Sequence, residues 1–271
     1  MSRLSETFRR LADSHRKALV PYIVAGDPSL AATVPAMRAL VAAGADIIEL
    51  GVPFSDPEAE GPSIQAACER ALSQGTNVSH VLGMVAEFRH GDQSTPVVLM
   101  GYLNNIERMG YSAFADRAHE AGVDGILMVN LPPEEADALR RELERVGIAL
   151  IFLVAPTTTH ERAELIARKA SGFIYYVSLK GVTGASHLVV EDVLRRVEPL
   201  RAMSDLPVLV GFGIKEARSA ADIAKVADGV VVGSVLVDIM GSHRDSEESI
   251  APALEACLGA MRAAMDANHE Q

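Results

Sequence analysis

Eight short runs of apolar, largely β-branched residues recur along this chain, and longer amphipathic stretches separate them. The runs are ALVPYIVAG (18–26), DIIELGVP (46–53), TPVVLMGY (95–102), DGILMVN (124–130), ALIFLVAP (149–156), FIYYVS (173–178), LPVLVGFG (206–213) and DGVVVGS (228–234). Their apolarity is continuous rather than alternating, which is the pattern of strands buried on both faces of a parallel sheet. The stretches LAATVPAMRALVAAG (30–44) and PPEEADALRRELERVG (132–147) have helical patterns. In the second, Pro132 and Pro133 suit a first helical turn, acids follow early, and Gly147 suits the C-terminal cap. The strand approaches AGAD (43–46), AGVDG (121–125) and VADG (226–229) echo one another, as the αβ loops of a repeated unit would. The expectation is an α/β fold: a single (β/α)8 TIM barrel over residues 1–271 as one domain, with an extra N-terminal helix (2–13) and a C-terminal helix (about 246–266). An open doubly wound sheet is the alternative, and the lack of a G-x-G-x-x-G after the first strand argues against its dinucleotide-binding form.

Composition narrows the partners. The chain is 49% hydrophobic, enough for a large core. Its two cysteines, Cys68 and Cys257, lie in helix-like segments without metal-ligand spacing, which suits a reduced cytoplasmic setting. The opening MSRLSETFRRLADSHRK has no apolar centre and does not read as a signal peptide. No run approaches the roughly 18 to 20 apolar residues of a membrane span. With 25 basic and 36 acidic residues the net charge is −11, which opposes binding to a nucleic-acid backbone. An anionic ligand would have to be gripped by local donors. The eight histidines are scattered with no i,i+4 pair, so no metal site is expected.

In this architecture reactive groups sit where strands end and βα loops begin. That rule selects Asp27, Glu49, Tyr102, Asn130, Tyr175 and the glycines near 211–213 and 233. Glu49 is flanked by Ile47, Ile48 and Leu50, and alternation aims it opposite to its immediate neighbours. A carboxylate stripped of hydration there would titrate upward, into the range useful for acid–base chemistry. A carboxylate tied to backbone donors to hold a loop is the alternative. The loop GVPFSDPEAEGP (51–62) adds Asp56, Glu58 and Glu60, for which caps and solvation are the default roles. KGVTGASH (180–187), GFGIK (211–215) and GSVL (233–236) follow the last three strands, and their glycines let backbone N–H groups approach a phosphate.

Taken together, KALVPYIVAGDP (17–28), ADIIELGVPFSDP (45–57), TPVVLMGYLN (95–104), AGVDGILMVNLPPEE (121–135), FLVAPTTT (152–159), SGFIYYVSLKGVTGA (171–185), VGFGI (210–214) and ADGVVVGS (227–234) resemble the tryptophan synthase alpha subunit family along nearly the whole chain. The resemblance implies retro-aldol cleavage of indole-3-glycerol phosphate to indole and glyceraldehyde 3-phosphate. It implies Glu49 as the principal acid–base group, assisted at the indole N–H by a loop carboxylate that aligns with Glu60. It places Tyr22, Tyr102, Leu127 and Tyr175 around the indole and glycerol, and Gly184, Gly213, Gly233 and Ser234 at the phosphate beside Phe212. The loop bearing Thr183 would close over the substrate. It further implies no cofactor in this chain, and a PLP-containing beta subunit in an α2β2 complex that meets Pro53, Phe54, Asp56 and Asn104.

Several residues depart from that pattern. Glu60 stands where the family commonly has aspartate, Glu58 where an apolar residue is usual, and Asn130 where aspartate is usual. Asn105 replaces a common proline, Val24 a threonine, and Tyr22 a phenylalanine. A longer carboxylate at 60 moves the charge by about 1 Å, a displacement that can cost about a hundredfold in rate. These departures motivate a second reading, a catalytically weakened alpha-like subunit that mainly activates its beta partner. A third is another phosphosugar barrel, such as an isomerase, against which the pairing of Glu49 with SDPEAEGP speaks.

Overall fold

The computed structural model describes residues 2–177, 187–211 and 213–267. Eight strands form: β1 (Ala18–Val24), β2 (Ile48–Gly51), β3 (Val97–Gly101), β4 (Gly125–Met128), β5 (Ala149–Val154), β6 (Ile174–Val177), β7 (Val208–Gly211) and β8 (Gly229–Val232). Each falls within one of the eight apolar runs. Every strand pairs in parallel with the next, and β8 pairs with β1, closing the barrel. The open-sheet alternative is thereby excluded.

The strands are apolar on both faces because the barrel has two cores. Ile48 and Leu50 join the shell between strands and helices, with Ile23, Leu99, Ile126 and Val210. Ile47 faces the interior with Val20, Val98, Leu127, Ile151, Phe173, Leu209 and Val231. A period of two from Ile47 puts Glu49 and Gly51 inside as well. The N-terminal helix Arg3–Asp13 is capped by Ser2, whose hydroxyl accepts the Ser5 N–H at 3.2 Å. Its Leu4, Phe8 and Leu11 join the interior cluster, and Phe8 meets Phe173 edge-on at 6.0 Å. Burying each leucine contributes about 1.5 to 3 kcal/mol. This helix therefore stops the N-terminal end of the barrel. The C-terminal helix Ile250–Ala267 lies outside, against the helices Thr33–Ala42 and Ala217–Ala224.

The echoed AGAD, AGVDG and VADG approaches become a clamp. Asp46, before β2, accepts the N–H of Leu19 on β1 at 3.0 Å. Asp124, before β4, accepts that of Val97 on β3 at 2.8 Å, and Asp228, before β8, that of Val208 on β7 at 2.9 Å. Before β6 the Ser171 hydroxyl takes the same part for Leu150 of β5 at 2.9 Å. Arg262, Arg89 and Arg201 respectively neutralise the three aspartates. One expectation is corrected: Pro132 and Pro133 precede the helix rather than open it, since the helix runs Asp137–Val146 after a turn. A proline has no N–H to lose in a turn, so either placement satisfies it. Gly147 ends that helix in the left-handed conformation at φ 78°, as its sequence context indicates.

Candidate active site

At the C-terminal end of the barrel the inward residues of several strands converge with the loop after β2. Glu49 is 1% exposed, and neither carboxylate oxygen has a hydrogen-bond partner among the described residues. Burial first, and then the charge of Glu60, pushes its carboxyl up to about 8. This is the sequence expectation for a desolvated acid, and the loop-holding alternative fails because the side chain bonds nothing among the described residues.

Glu60 arrives from the loop after β2. Its carboxyl is pushed up to about 7 by burial, and its charge is felt at Glu49, Tyr22, Tyr102 and Tyr175. The default solvated role assigned to the loop acids therefore does not hold for this one, whereas Asp56 and Glu58 are exposed. Tyr102 and Asn105, beyond β3, hold the loop through three contacts. Phe54 stacks on Tyr102 with ring centroids 4.9 Å apart, the Tyr102 hydroxyl accepts the Ala59 N–H at 3.2 Å, and Asn105 Nδ2 donates to the Pro53 carbonyl at 3.2 Å. Tyr102 thus anchors the loop through its hydroxyl. Burial pushes that phenol up to about 12, so it stays protonated. Gly61 and Pro62 then start the helix Pro62–Ser73.

Tyr22 and Tyr175 reach in from β1 and β6. A Cβ on Gly51 would lie 2.3 Å from the Tyr22 hydroxyl, and one on Gly211 2.4 Å from the Tyr175 hydroxyl, so each ring occupies space that only glycine leaves. Burial holds both phenols well above their usual range, with Glu49 and Glu60 acting in the same direction. Leu127 is fully buried in the interior cluster. Met100, Val129 and Leu153 pack on the same interior cluster while staying partly exposed. Sequence reasoning passed over these three, although the period of two at the strand ends would have found them. Asp27, selected by the strand-end rule, is instead fully buried against Arg70.

On the far side, Gly213 follows β7 in the left-handed conformation at φ 76°. Gly233 caps the helix Ser234–Ser242, and Ser234 is its first residue. First-turn N–H groups of a helix have no partners within it and carry the positive end of its dipole, so this start offers an anion both donors and charge. The Tyr22 ring lies 3.4 Å from where a Gly233 Cβ would be, so the helix start adjoins a phenol that feels the charge of both acids. Thr183, Gly184 and Phe212 lie outside the described residues. A Gly233→Val variant is expected to raise KM about tenfold or more while moving Tm little, because the added methyls project toward the barrel mouth. Steady-state kinetics with calorimetry checks this, and a large Tm loss at unchanged KM would give Gly233 a packing role instead.

Of the residues expected at a subunit interface, Asp56 and Asn104 are exposed, Pro53 is buried, and Phe54 is half-buried under Tyr102. Asn130 accepts the Leu103 N–H at 2.7 Å and donates to Asn104 Oδ1 at 3.1 Å, joining the loops after β3 and β4 without a charge. Among the described residues no group of three His, Cys, Asp or Glu side chains could hold a metal ion, and no helix is long and apolar enough to cross a membrane.

Two elevated carboxyl groups and a glycine–serine helix start at the same end of the strands define a (β/α)8 barrel suited to acid–base chemistry on an anionic ligand. The chain belongs to the tryptophan synthase alpha chain family, whose family model matches residues 8–266. It is 58% identical to the tryptophan synthase alpha chain of Nitrosococcus oceani over 267 residues, covering 98% of each chain. A crystal structure of tryptophan synthase subunit alpha from Legionella pneumophila superposes with a TM-score of 0.92 at 45% identity, covering 98% of this chain and 99% of that one. A chain of tryptophan synthase from M. tuberculosis, in an open form with BRD0059 bound, gives 0.86 at 37% identity, covering 98% and 99%.

Proposed function

We infer that this chain performs the alpha reaction of tryptophan synthase, splitting indole-3-glycerol phosphate into indole and glyceraldehyde 3-phosphate. The observation that carries the reading is Glu49, a buried acid whose oxygens have no partner among the described residues and which feels the charge of Glu60. A carboxyl that titrates near 8 is mostly protonated at neutral pH, so Glu49 can give its proton to indole C3. The glycerol hydroxyl next to the ring then returns a proton to the Glu49 carboxylate. The bond from C3 to that carbinol carbon breaks, its electron pair goes back to the indole, and the carbon leaves as the aldehyde. Between these events the ring is cationic, and Glu60 as carboxylate stabilises it by accepting the indole N–H. Gly184, Gly213, Gly233 and Ser234 take the phosphate end, Tyr22, Tyr102, Leu127 and Tyr175 hold the indole and glycerol, Phe212 adds to the substrate contacts, and the loop bearing Thr183 closes over the substrate.

The working assembly is an α2β2 complex in which the released indole passes to a PLP-containing beta subunit docked on Pro53, Phe54, Asp56 and Asn104. The chain works as one cytoplasmic unit over residues 1–271 and needs no cofactor of its own.

Purified chain is incubated with indole-3-glycerol phosphate, with and without a beta subunit, and indole is measured. Indole above background in either condition supports the lyase; none in both removes it and leaves the activating-subunit reading. Glu60→Ala is expected to lower kcat about a hundredfold, whereas Glu60→Asp stays within about threefold of the parent or exceeds it. Parent rates in Glu60→Ala would exclude this carboxylate from the chemistry.

A further inference from the structure

Asp27 and Arg70 are 43 residues apart in sequence and form a fork-to-fork pair at the barrel mouth, with Arg70 Nε donating to Oδ1 at 2.7 Å and Nη2 to Oδ2 at 2.9 Å. Asp27 is fully buried just beyond β1, the strand that carries Tyr22. Arg70 sits on the helix Pro62–Ser73, whose cap directly follows Glu60. In the first turn of that helix Gln65 Nε2 donates to the Glu60 carbonyl at 2.8 Å, so a rigid element connects Arg70 to the acid's own backbone. The guanidinium also abuts the last turn of the helix Ser234–Ser242: a Cβ on Gly241 would stand 2.7 Å from Nη2. The same three elements share the cluster of Tyr22, Val24, Ala67, Cys68, Ala71 and Val237. Arg70 is therefore where the Tyr22 strand, the Glu60 helix and the anion-type helix meet.

We propose that Arg70, held by Asp27, is a positioning residue for Glu60. It sets the depth and tilt at which the helix presents that carboxylate to the barrel mouth, relative to the body of the helix whose start takes the phosphate. A bidentate fork fixes rotation as well as distance, which a point-charge ammonium cannot do. The proposal rests on the lyase reading of Glu60.

The test compares the parent with Arg70→Lys and Arg70→Met. It measures kcat and KM for indole-3-glycerol phosphate, the folded fraction by circular dichroism, and the Glu60 midpoint by carboxyl NMR titration. The titratable groups around Glu60 are Glu49 on β2, Tyr22 on β1, Tyr175 on β6, Tyr102 after β3 and Cys68 on its own helix, and all are unchanged in these variants. Arg70→Lys is expected to lower kcat about tenfold with KM within about twofold, as a misplaced catalytic group does. The Glu60 midpoint should fall from about 7 toward 4.5 as its loop gains water. Arg70→Met should go further in both. A lysine variant with parent kcat and parent Glu60 midpoint overturns the proposal, as does a rate loss that matches the unfolded fraction. A parent that releases no indole sinks the lyase reading instead, while the titration still decides whether Arg70 places Glu60.

Discussion

Glu49→Gln is expected to abolish indole release and at the same time to stabilise the fold, by an amount that grows with pH. Losing an acid–base group costs about 10²- to 10⁴-fold in rate, and glutamine has no proton to exchange. The stability gain follows from the titration. An unfolded glutamate releases its proton near 4.5, whereas folded Glu49 holds it to about 8. Between those values the native state binds the extra proton, so stability drains away as pH rises through that window. Glutamine has nearly the same shape, carries no charge to desolvate and sacrifices no hydrogen bond, because Glu49 makes none among the described residues. The gain should be on the order of a few kcal/mol above pH 8 and vanish below about pH 4.5. Calorimetric Tm values across pH 5 to 9, beside an indole assay, check both halves. A glutamine variant melting at or below the parent at pH 8 would mean that the carboxyl is not an uncompensated buried acid, and turnover near the parent rate would strip it of its role.

At the opposite end of the barrel, Asp124→Ala should be the most damaging single change to stability. Asp124 and Arg89 are 6% and 5% exposed. The carboxylate accepts Arg89 Nη2 at 2.7 Å, the Val97 N–H at 2.8 Å and Arg3 Nη1 at 3.0 Å. Alanine leaves a buried guanidinium without its counter-charge and a buried strand N–H without an acceptor, and removing one partner of such a pair costs about 3 to 5 kcal/mol. Asp228 clamps β7 in the same way, but its partner Arg201 is solvent-exposed, and water can replace what is lost. Asp228→Ala should therefore cost about 1 to 2 kcal/mol. Urea unfolding of the two variants separates them, and equal losses would refute the argument from burial. The fraction of Asp124→Ala that stays folded should keep the parent kcat, since this end of the barrel stabilises while the other end reacts.

These two residues were legible to different degrees. Glu49 could be placed because the strand period of two, applied to four residues, decides which way it points. The echoed aspartates were legible as loop punctuation but not as clamps, because a clamp depends on which strand lies alongside, and that follows from closure. Glu60 was distinguishable from Glu58 only through family resemblance, since two acids in one loop look alike until the Phe54–Tyr102 stack and the Ala59 bond set the loop's course. The start of the helix after Pro133 was misjudged by a few residues, because prolines suit a turn and a first helical turn equally.

Taken alone, the order of apolar runs determined the number of strands, their parallel direction and the inward aim of Glu49, because burial on both faces and alternation act over a few neighbouring residues. Only the tertiary structure decided that the charge of Glu60 is felt at Glu49, that Tyr102 spends its hydroxyl on a loop, and that Asp27 meets Arg70. Those facts depend on residues tens of positions apart being brought within a few ångströms. Desolvation and charge coupling act through space, and the distances they need exist only after the barrel has closed.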